Sequence, residues 1–256
     1  DGGYIGVKIV TVTPDNNAVG LPAVNGLYLL LDGKTGAPRA LIDGQRLTQW
    51  RTACASALAA SYLARADAAR LLVLGAGALC PFLVRAHAAV RPITEIRIWN
   101  RTAENAEKAA AGLRDQGYAA TVAGDLDTAL SWADIVSAAT ISTEPLIKGA
   151  VLRPGIHVDL VGGFTPAMRE ADDEAIRRAR VFVDTRAGAT KEAGDIVQPL
   201  QSGVLTPERI LADLYELTRG ERPGRRDGEE ITLFKSVGAA LEDLAAGVAV
   251  YEATER

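Results

Sequence analysis

The chain has 256 residues, 48% of them hydrophobic, with 28 Lys and Arg against 32 Asp and Glu for a net charge of -4. That length and apolar content support a sizeable buried core in one large or two modest domains. The scattered cations form no basic stripe for nucleic acid, and no apolar run is long enough to cross a bilayer.

Cys54 and Cys80 make neither a disulfide framework nor a metal set, and His87 and His157 stand apart, so no metal is expected and a reducing, cytoplasmic setting is. The one methionine is Met168, so residues ahead of Asp1 are expected in the full protein.

In chain order, Tyr4 to Val12 alternates as a strand, with Ile5, Val7 and Ile9 on one face and Lys8, Val10 and Val12 on the other. Lys8 reads either as an edge residue reaching solvent or, among Gly2, Gly3 and Gly6, as a residue close to a ligand. Pro14 to Gly20 reads as a loop. Leu27 to Asp32, the turn Gly33 to Gly36, and Arg39 to Asp43 read as a β-hairpin. Thr48 is the expected N-cap of an alanine-rich helix from Gln49 to Ala64, which places Arg51 and Thr52 in its first turn. A cation there opposes the helix dipole, so Arg51 answers either a bound anion or a nearby acid.

Leu71 to Leu74 then runs into Gly75-Ala76-Gly77-Ala78-Leu79-Cys80 and a helix from Phe82 to Val90. Gly75 permits a sharp turn, Gly77 lets backbone approach a pyrophosphate, and the helix start offers free N–H groups. Cys80 stands where the third glycine of this fingerprint is usual. The next strand, Glu95 to Trp99, leads into Asn100-Arg101-Thr102, twenty-five positions after Gly75, where a dinucleotide site reads the adenosine ribose. Asn followed by Arg suits a 2′-phosphate better than an acid would, so NADPH is expected over NADH.

The remaining elements are helix 103–113, strand 118–122, helix 125–132, the strand from Asp134 to Thr140, the strand from Gly155 into Gly162-Gly163, helix 172–179, strand 180–184, helix 207–217, the strand from Ile231 to Ser236, and a closing helix 237–252. Strands alternate with helices, which predicts a doubly wound parallel sheet of Rossmann type. Gly75, Asn100, Thr140 and Gly162 then face one crevice at the strands' carboxyl ends, with Val161 beside them.

Gly6-Val7-Lys8, Leu47-Thr48 through Arg51-Thr52-Ala53, Gly75-Ala76-Gly77, Asn100-Arg101, Val161-Gly162-Gly163 and Phe234-Lys235-Ser236-Val237-Gly238 together resemble the ornithine cyclodeaminase and mu-crystallin family over almost the whole chain. The resemblance implies a nicotinamide-binding domain, residues 53–229, set between two parts (1–52 and 230–256) of an α+β domain that handles substrate and forms a homodimer. It also implies that an opening segment, with an arginine that helps bind substrate, lies ahead of Asp1. Carried over, it makes Lys8 and Arg51 the grip on the substrate carboxylate beside the nicotinamide. Thr52, Ala78, Leu79, Asn100, Thr140 and Ser236 match cofactor contacts, with Arg101 and Thr102 adjoining, and Lys235, next to Ser236, is assigned with Phe164 to the substrate pocket.

One departure selects the activity. Cyclodeaminases of the family place an acid after the paired glycines, and here that position is Phe164. Loss of ammonia needs proton traffic that a phenyl ring cannot provide, whereas reduction of a ready-made cyclic imine does not. The run Gly163-Phe164-Thr165-Pro166-Ala167-Met168-Arg169-Glu170 resembles the family's Δ1-pyrroline-2-carboxylate and Δ1-piperideine-2-carboxylate reductases. The expected partner is thus a small cyclic imino acid. The alternatives are an ornithine cyclodeaminase, an alanine-type dehydrogenase, and an NADPH-binding protein without turnover.

Overall fold

The computed structural model describes residues 3–13, 15–16, 20–21 and 24–254. The chain divides into two units, Asp1–Thr52 with Ala239–Arg256, and Ala53–Gly238. Most of the loop read between Pro14 and Gly20, and the side chain of Val12, fall outside the described residues.

The first unit is an antiparallel sheet of β1 (Tyr4–Val12), β2 (Val24–Asp32) and β3 (Pro38–Asp43), in that order. The register sets Lys8 opposite Tyr28 and Ile9 opposite Leu27. With a side-chain period of two, Gly6, Lys8, Tyr28 and Leu30 share one face and Ile5, Val7, Ile9, Leu27 and Leu29 share the other. Helix α9 (Ala240–Thr254) covers the first face through Leu244, Ala246, Val248 and Tyr251, whose ring meets Tyr4 edge-on at 5.9 Å. The Tyr28 ring fits because two neighbours lack side chains: a Cβ on Gly6 would collide with its hydroxyl, and one on Gly247 would lie 2.7 Å from its ring. The second face is bare, with Ile5, Val7, Ile9, Leu27 and Leu41 all exposed.

Helix α1 (Gly44–Leu63) begins four residues before the expected cap. Asp43 accepts hydrogen bonds from the backbone N–H of Gln45 and Arg46, and Thr48 instead turns its hydroxyl back onto the Gly44 carbonyl at 2.7 Å. Arg51 and Thr52 therefore sit about two turns inside the helix, and the dipole argument does not apply to them.

The second unit is an eight-stranded sheet in which every pairing is parallel. Its members are β4 (Arg70–Leu74), β5 (Glu95–Trp99), β6 (Ala120–Val122), β7 (Ile135–Ala138), β8 (His157–Leu160), β9 (Arg180–Val183), β10 (Ile210–Asp213) and β11 (Thr232–Lys235), in the order β10-β9-β11-β8-β7-β4-β5-β6. The connections supply α2 (Cys80–Val90), α3 (Ala103–Arg114), α4 (Leu126–Trp132), α5 (Asp173–Arg178), α6 (Arg186–Glu192), α7 (Gly194–Ser202) and α8 (Leu214–Thr218). From β4 the chain runs outward to β6 and then returns to β7 on the other side of β4. This reversal opens a crevice at the carboxyl ends of β4 and β7.

Three further boundaries differ from expectation. Residues 207–217 are not one helix: a short turn leads into β10, where Ile210 and Ala212 alternate inward, and Asp213 caps α8 in a capping box with Glu216. The closing helix starts at Ala240, because the N–H groups of Val237 and Gly238 are held by Asp184 at 2.7 Å. Residues 230–238, assigned from the sequence to the substrate domain, contain β11 and lie in the large sheet between β8 and β9. Helices α6 and α7 fill a stretch that had no assignment.

Buried polar groups tie the sheet together. Asp159 is fully buried, which alone would raise its pKa, yet His87 at 3.4 Å and the Ser137 hydroxyl at 2.6 Å hold its carboxyl below the usual range. His157 beside it is pushed down to about 3 by burial. The Thr232 hydroxyl donates to the Leu63 carbonyl, so His157 Nδ1 carries the hydrogen in its 3.0 Å bond to Thr232. A buried neutral His takes up its proton in the unfolded state first, so its contribution is complete above pH 6.5 and is lost as pH falls toward 3, by roughly 5 kcal/mol in all. His157→Gln should therefore lose less stability than wild type between pH 6.5 and 4, as measured by urea unfolding at each pH.

Candidate cofactor turn and cation pair

The turn after β4 is built for close approach. Gly75 has φ +101°, its N–H donates to the Trp99 carbonyl at 2.9 Å, and a Cβ there would lie 2.7 Å from the Ala139 carbonyl oxygen. No other residue satisfies both the backbone and the space. Asn100, at the end of β5, braces the turn: its Oδ1 accepts from the Ala76 N–H at 3.2 Å and its Nδ2 donates to the Thr102 carbonyl at 3.0 Å. Among the described residues the N–H groups of Gly77, Ala78 and Leu79 have no acceptor, and a Cβ on Gly77 would meet nothing within 4 Å. A cavity of about 500 Å³ opens here, lined by Ala76, Gly77 and Ala78 and by Asn105, Lys108 and Gln116 opposite. Unmade donors facing open space at a helix start fit the pyrophosphate of a dinucleotide. Arg101 and Thr102 are exposed at the end of the neighbouring strand. Cys80 is buried and its thiol is pushed up to about 12, so it serves as a small packing residue, not a nucleophile.

Beneath the ends of β7, β8 and β11 lies a buried charge cluster. Glu170 is fully buried, and its Oε1 accepts from both the N–H and the hydroxyl of Thr140 at 2.7 Å. Burial raises its pKa to about 8 against the opposing pull of Lys235. Asp195 Oδ1 accepts from the N–H groups of Glu170 at 2.8 Å and Ala171 at 3.0 Å. Burial raises this acid too, while Lys235 and the two donors work to keep it charged. Lys235 has no exposed surface; its ammonium donates to the carbonyls of Leu160 and Gly162 and lies 3.7 Å from Asp195 Oδ2. The Lys235 ammonium thus faces two buried acids, favouring the charged form of each against the burial that opposes it.

Lys235 is therefore sealed inside and does not line an open pocket, as the sequence had placed it. Above it Val161 and Ser236 are also buried, each with its N–H on a neighbouring strand's carbonyl. Gly163, at φ +58°, carries the chain into Phe164, which is 51% exposed.

In the first unit the structure brings Lys8 and Arg51 together. Lys8 Nζ donates to Asp243 Oδ1 at 2.9 Å, and Arg51 Nη1 donates to Glu242 Oε2 at 3.0 Å. Arg51 Nε lies 3.2 Å from the same Asp243 oxygen without hydrogen-bond alignment. The four side chains are only 11 to 19% exposed. Although β1 is an edge strand, Lys8 turns toward α9 and its acid and not outward to solvent. Thr52, next to Arg51, is buried. Sequence reasoning missed Asp243, Glu242 and Asp195. The only trace was the adjacent Glu242-Asp243 pair, which reads equally as the polar face of a helix.

A parallel sheet whose order reverses at a glycine turn with open N–H groups, accompanied by an α+β unit presenting two half-buried cations, defines a nicotinamide-dependent oxidoreductase. The chain belongs to the ornithine cyclodeaminase/mu-crystallin family, whose profile matches residues 1–256. It is 43% identical to a Δ1-pyrroline-2-carboxylate reductase of Paracoccus denitrificans, over 94% of this chain and 77% of that protein. The structure of the Thermococcus litoralis Δ1-pyrroline-2-carboxylate reductase with NADH and L-proline matches at a TM-score of 0.92 and 38% identity, over 96% of this chain and 77% of that one. An archaeal alanine dehydrogenase dimer with bound NAD matches at 0.91 and 32% identity, over 98% and 77%.

Removing one member of a buried charge pair leaves the other uncompensated, at a cost of about 3 kcal/mol or more. Lys235→Met should lose that much unfolding free energy in urea titrations at pH 7, and the additional change Asp195→Leu should recover part of it.

Proposed function

We propose that this protein reduces cyclic imine carboxylates with NADPH, taking Δ1-pyrroline-2-carboxylate to L-proline and Δ1-piperideine-2-carboxylate to L-pipecolate. The observation that carries this choice is Phe164, a half-exposed ring without a proton to give, at the position where cyclodeaminases of the family hold an acid. A bound reduced nicotinamide supplies hydride for the C=N carbon. Lys8 and Arg51 take the substrate carboxylate, and two fixed cations hold it in a defined plane. Phe164 offers an apolar surface for the ring. The imine nitrogen enters protonated and leaves as an amine, so the step draws no proton from Phe164.

Gly75, Gly77, Ala78 and Leu79 cradle the pyrophosphate in this reading, while Asn100, Thr102, Thr140, Val161 and Ser236 shape the rest of the cofactor site with Thr52. Support for NADPH comes from the neutral Asn100 and the exposed cation Arg101 where a carboxylate would repel a 2′-phosphate; NADH is the alternative. The bare aliphatic face of Ile5, Val7, Ile9 and Leu41 supports a homodimer. Two unpaired cysteines support a cytoplasmic setting, and among the described residues no helix is long and apolar enough to cross a membrane.

The test is reduced-cofactor consumption with each imine and with pyruvate plus ammonia, supplying NADPH and NADH separately. Rapid NADPH loss with the cyclic imines is expected; ammonia release from L-ornithine without imine reduction would overturn the reading. Arg51→Ala removes a charge-assisted contact of about 1.5 to 3 kcal/mol and should lower kcat/KM roughly ten- to a hundredfold. Arg101→Ala should weaken NADPH about tenfold and leave NADH nearly unchanged, as read from both KM values.

A further inference from the structure

Lys8 comes from the middle of β1 and Arg51 from α1, two elements with no backbone hydrogen bond to set the distance between those side chains. What they share is a counter-charge. Lys8 Nζ lies 2.9 Å and Arg51 Nε 3.2 Å from one oxygen, Oδ1 of Asp243. The two cationic groups are thereby drawn to within about 6 Å of each other, where without a counter-charge they would repel. Among the described residues Asp243 is the one acceptor of the Lys8 ammonium, so the remaining donors of Lys8 stay available to an incoming anion. Glu242 binds Arg51 from another side at 3.0 Å and limits its swing. Asp243 is itself 7% exposed in the first turn of α9, and α9 is seated on Tyr28 through Gly247, so the anchor is rigid.

We propose that Asp243 is the positioning residue that sets Lys8 and Arg51 at one spacing and, through them, decides which face of the imine receives hydride. This inference rests on the assignment of Lys8 and Arg51 to the substrate carboxylate. A carboxylate held by one cation leaves the ring free to rotate about that contact. Held by two at fixed separation, it has a defined plane, and the ring presents a single face. Asp243 touches neither substrate nor cofactor in this role; it acts through the two cations.

The experiment compares wild type, Asp243→Asn and Asp243→Glu on Δ1-pyrroline-2-carboxylate with NADPH, recording kcat, KM, NADPH affinity and the ratio of L- to D-proline formed. Asp243→Asn removes the charge that holds the pair, so kcat should fall tenfold or more. KM should change less than threefold, because both cations remain to attract the carboxylate, and NADPH affinity should stay within twofold. D-Proline should rise from undetectable to several per cent of product. An acid with a purely structural role would lower activity with the folded fraction and leave the enantiomer ratio unchanged, and that result would overturn the proposal. Should Asp243→Asn fail to fold, Asp243→Glu keeps the charge but moves the anchor by one methylene. It should show the same leak of D-proline, and a single enantiomer at wild-type kcat would overturn the proposal. Wild-type protein that reduces neither cyclic imine would overturn the functional reading itself, and the inference with it.

Discussion

An ammonium group with no exposed surface is costly to bury, and much of the candidate cofactor site is arranged around it. Lys235 reaches the end of β11 in the middle of the sheet, where a lone charge would be untenable. Two backbone carbonyls and Asp195 receive it, and Asp195 in turn gathers the N–H groups of Glu170 and Ala171. Glu170 then holds both donors of Thr140. One buried charge thus sets, link by link, the backbone at the ends of β7, β8 and β11. Because Gly162 and Gly163 are packed directly against these acids, the turn that presents Phe164 is shaped by electrostatics as much as by chain geometry.

The second unit was largely legible from residue order. Strands β4, β5, β7 and β8 each end within two residues of a glycine, asparagine or threonine, and the alternation with helices leaves few topologies. Legibility failed where two local signals competed. Asp43 and Thr48 are both good caps, and the earlier one starts α1, which a search for the cap nearest the apolar run overlooks. Pro207 and Glu208 look like a helix start, yet the alternating burial of Ile210 and Ala212 belongs to a parallel edge strand, a pattern too short to read alone. The candidate site followed the same rule. Gly75, Gly77 and Asn100 announce themselves through backbone requirements, and Lys8 and Arg51 through unusual placement. Asp195 and Asp243 did not, because their meaning lies in partners far along the chain.

Arg51 shows how a sound chemical question can survive a wrong structural premise. The sequence placed it against a helix dipole and asked which anion it answers. It is two turns inside α1, and the anions are Glu242 and Asp243. The site in the first unit is thus a balance of fixed charges among the described residues, two of each sign, and not a bare positive pocket. Such a balance keeps the cations ordered before substrate arrives, which lowers the entropy lost on binding.

The position of β11 has a consequence for biosynthesis. It lies between β8 and β9, although it is the last strand among the described residues, and α9, which covers the small sheet, follows it. The large sheet cannot close before β11 is synthesised, and the small sheet stays uncovered until α9 follows. Strands β8 and β9 must wait, unjoined, for a partner synthesised about seventy and about fifty residues later, so the nascent protein exposes two apolar sheet edges during translation. Closure of the large sheet is therefore coupled to the arrival of β11 and not to that of the two strands it joins.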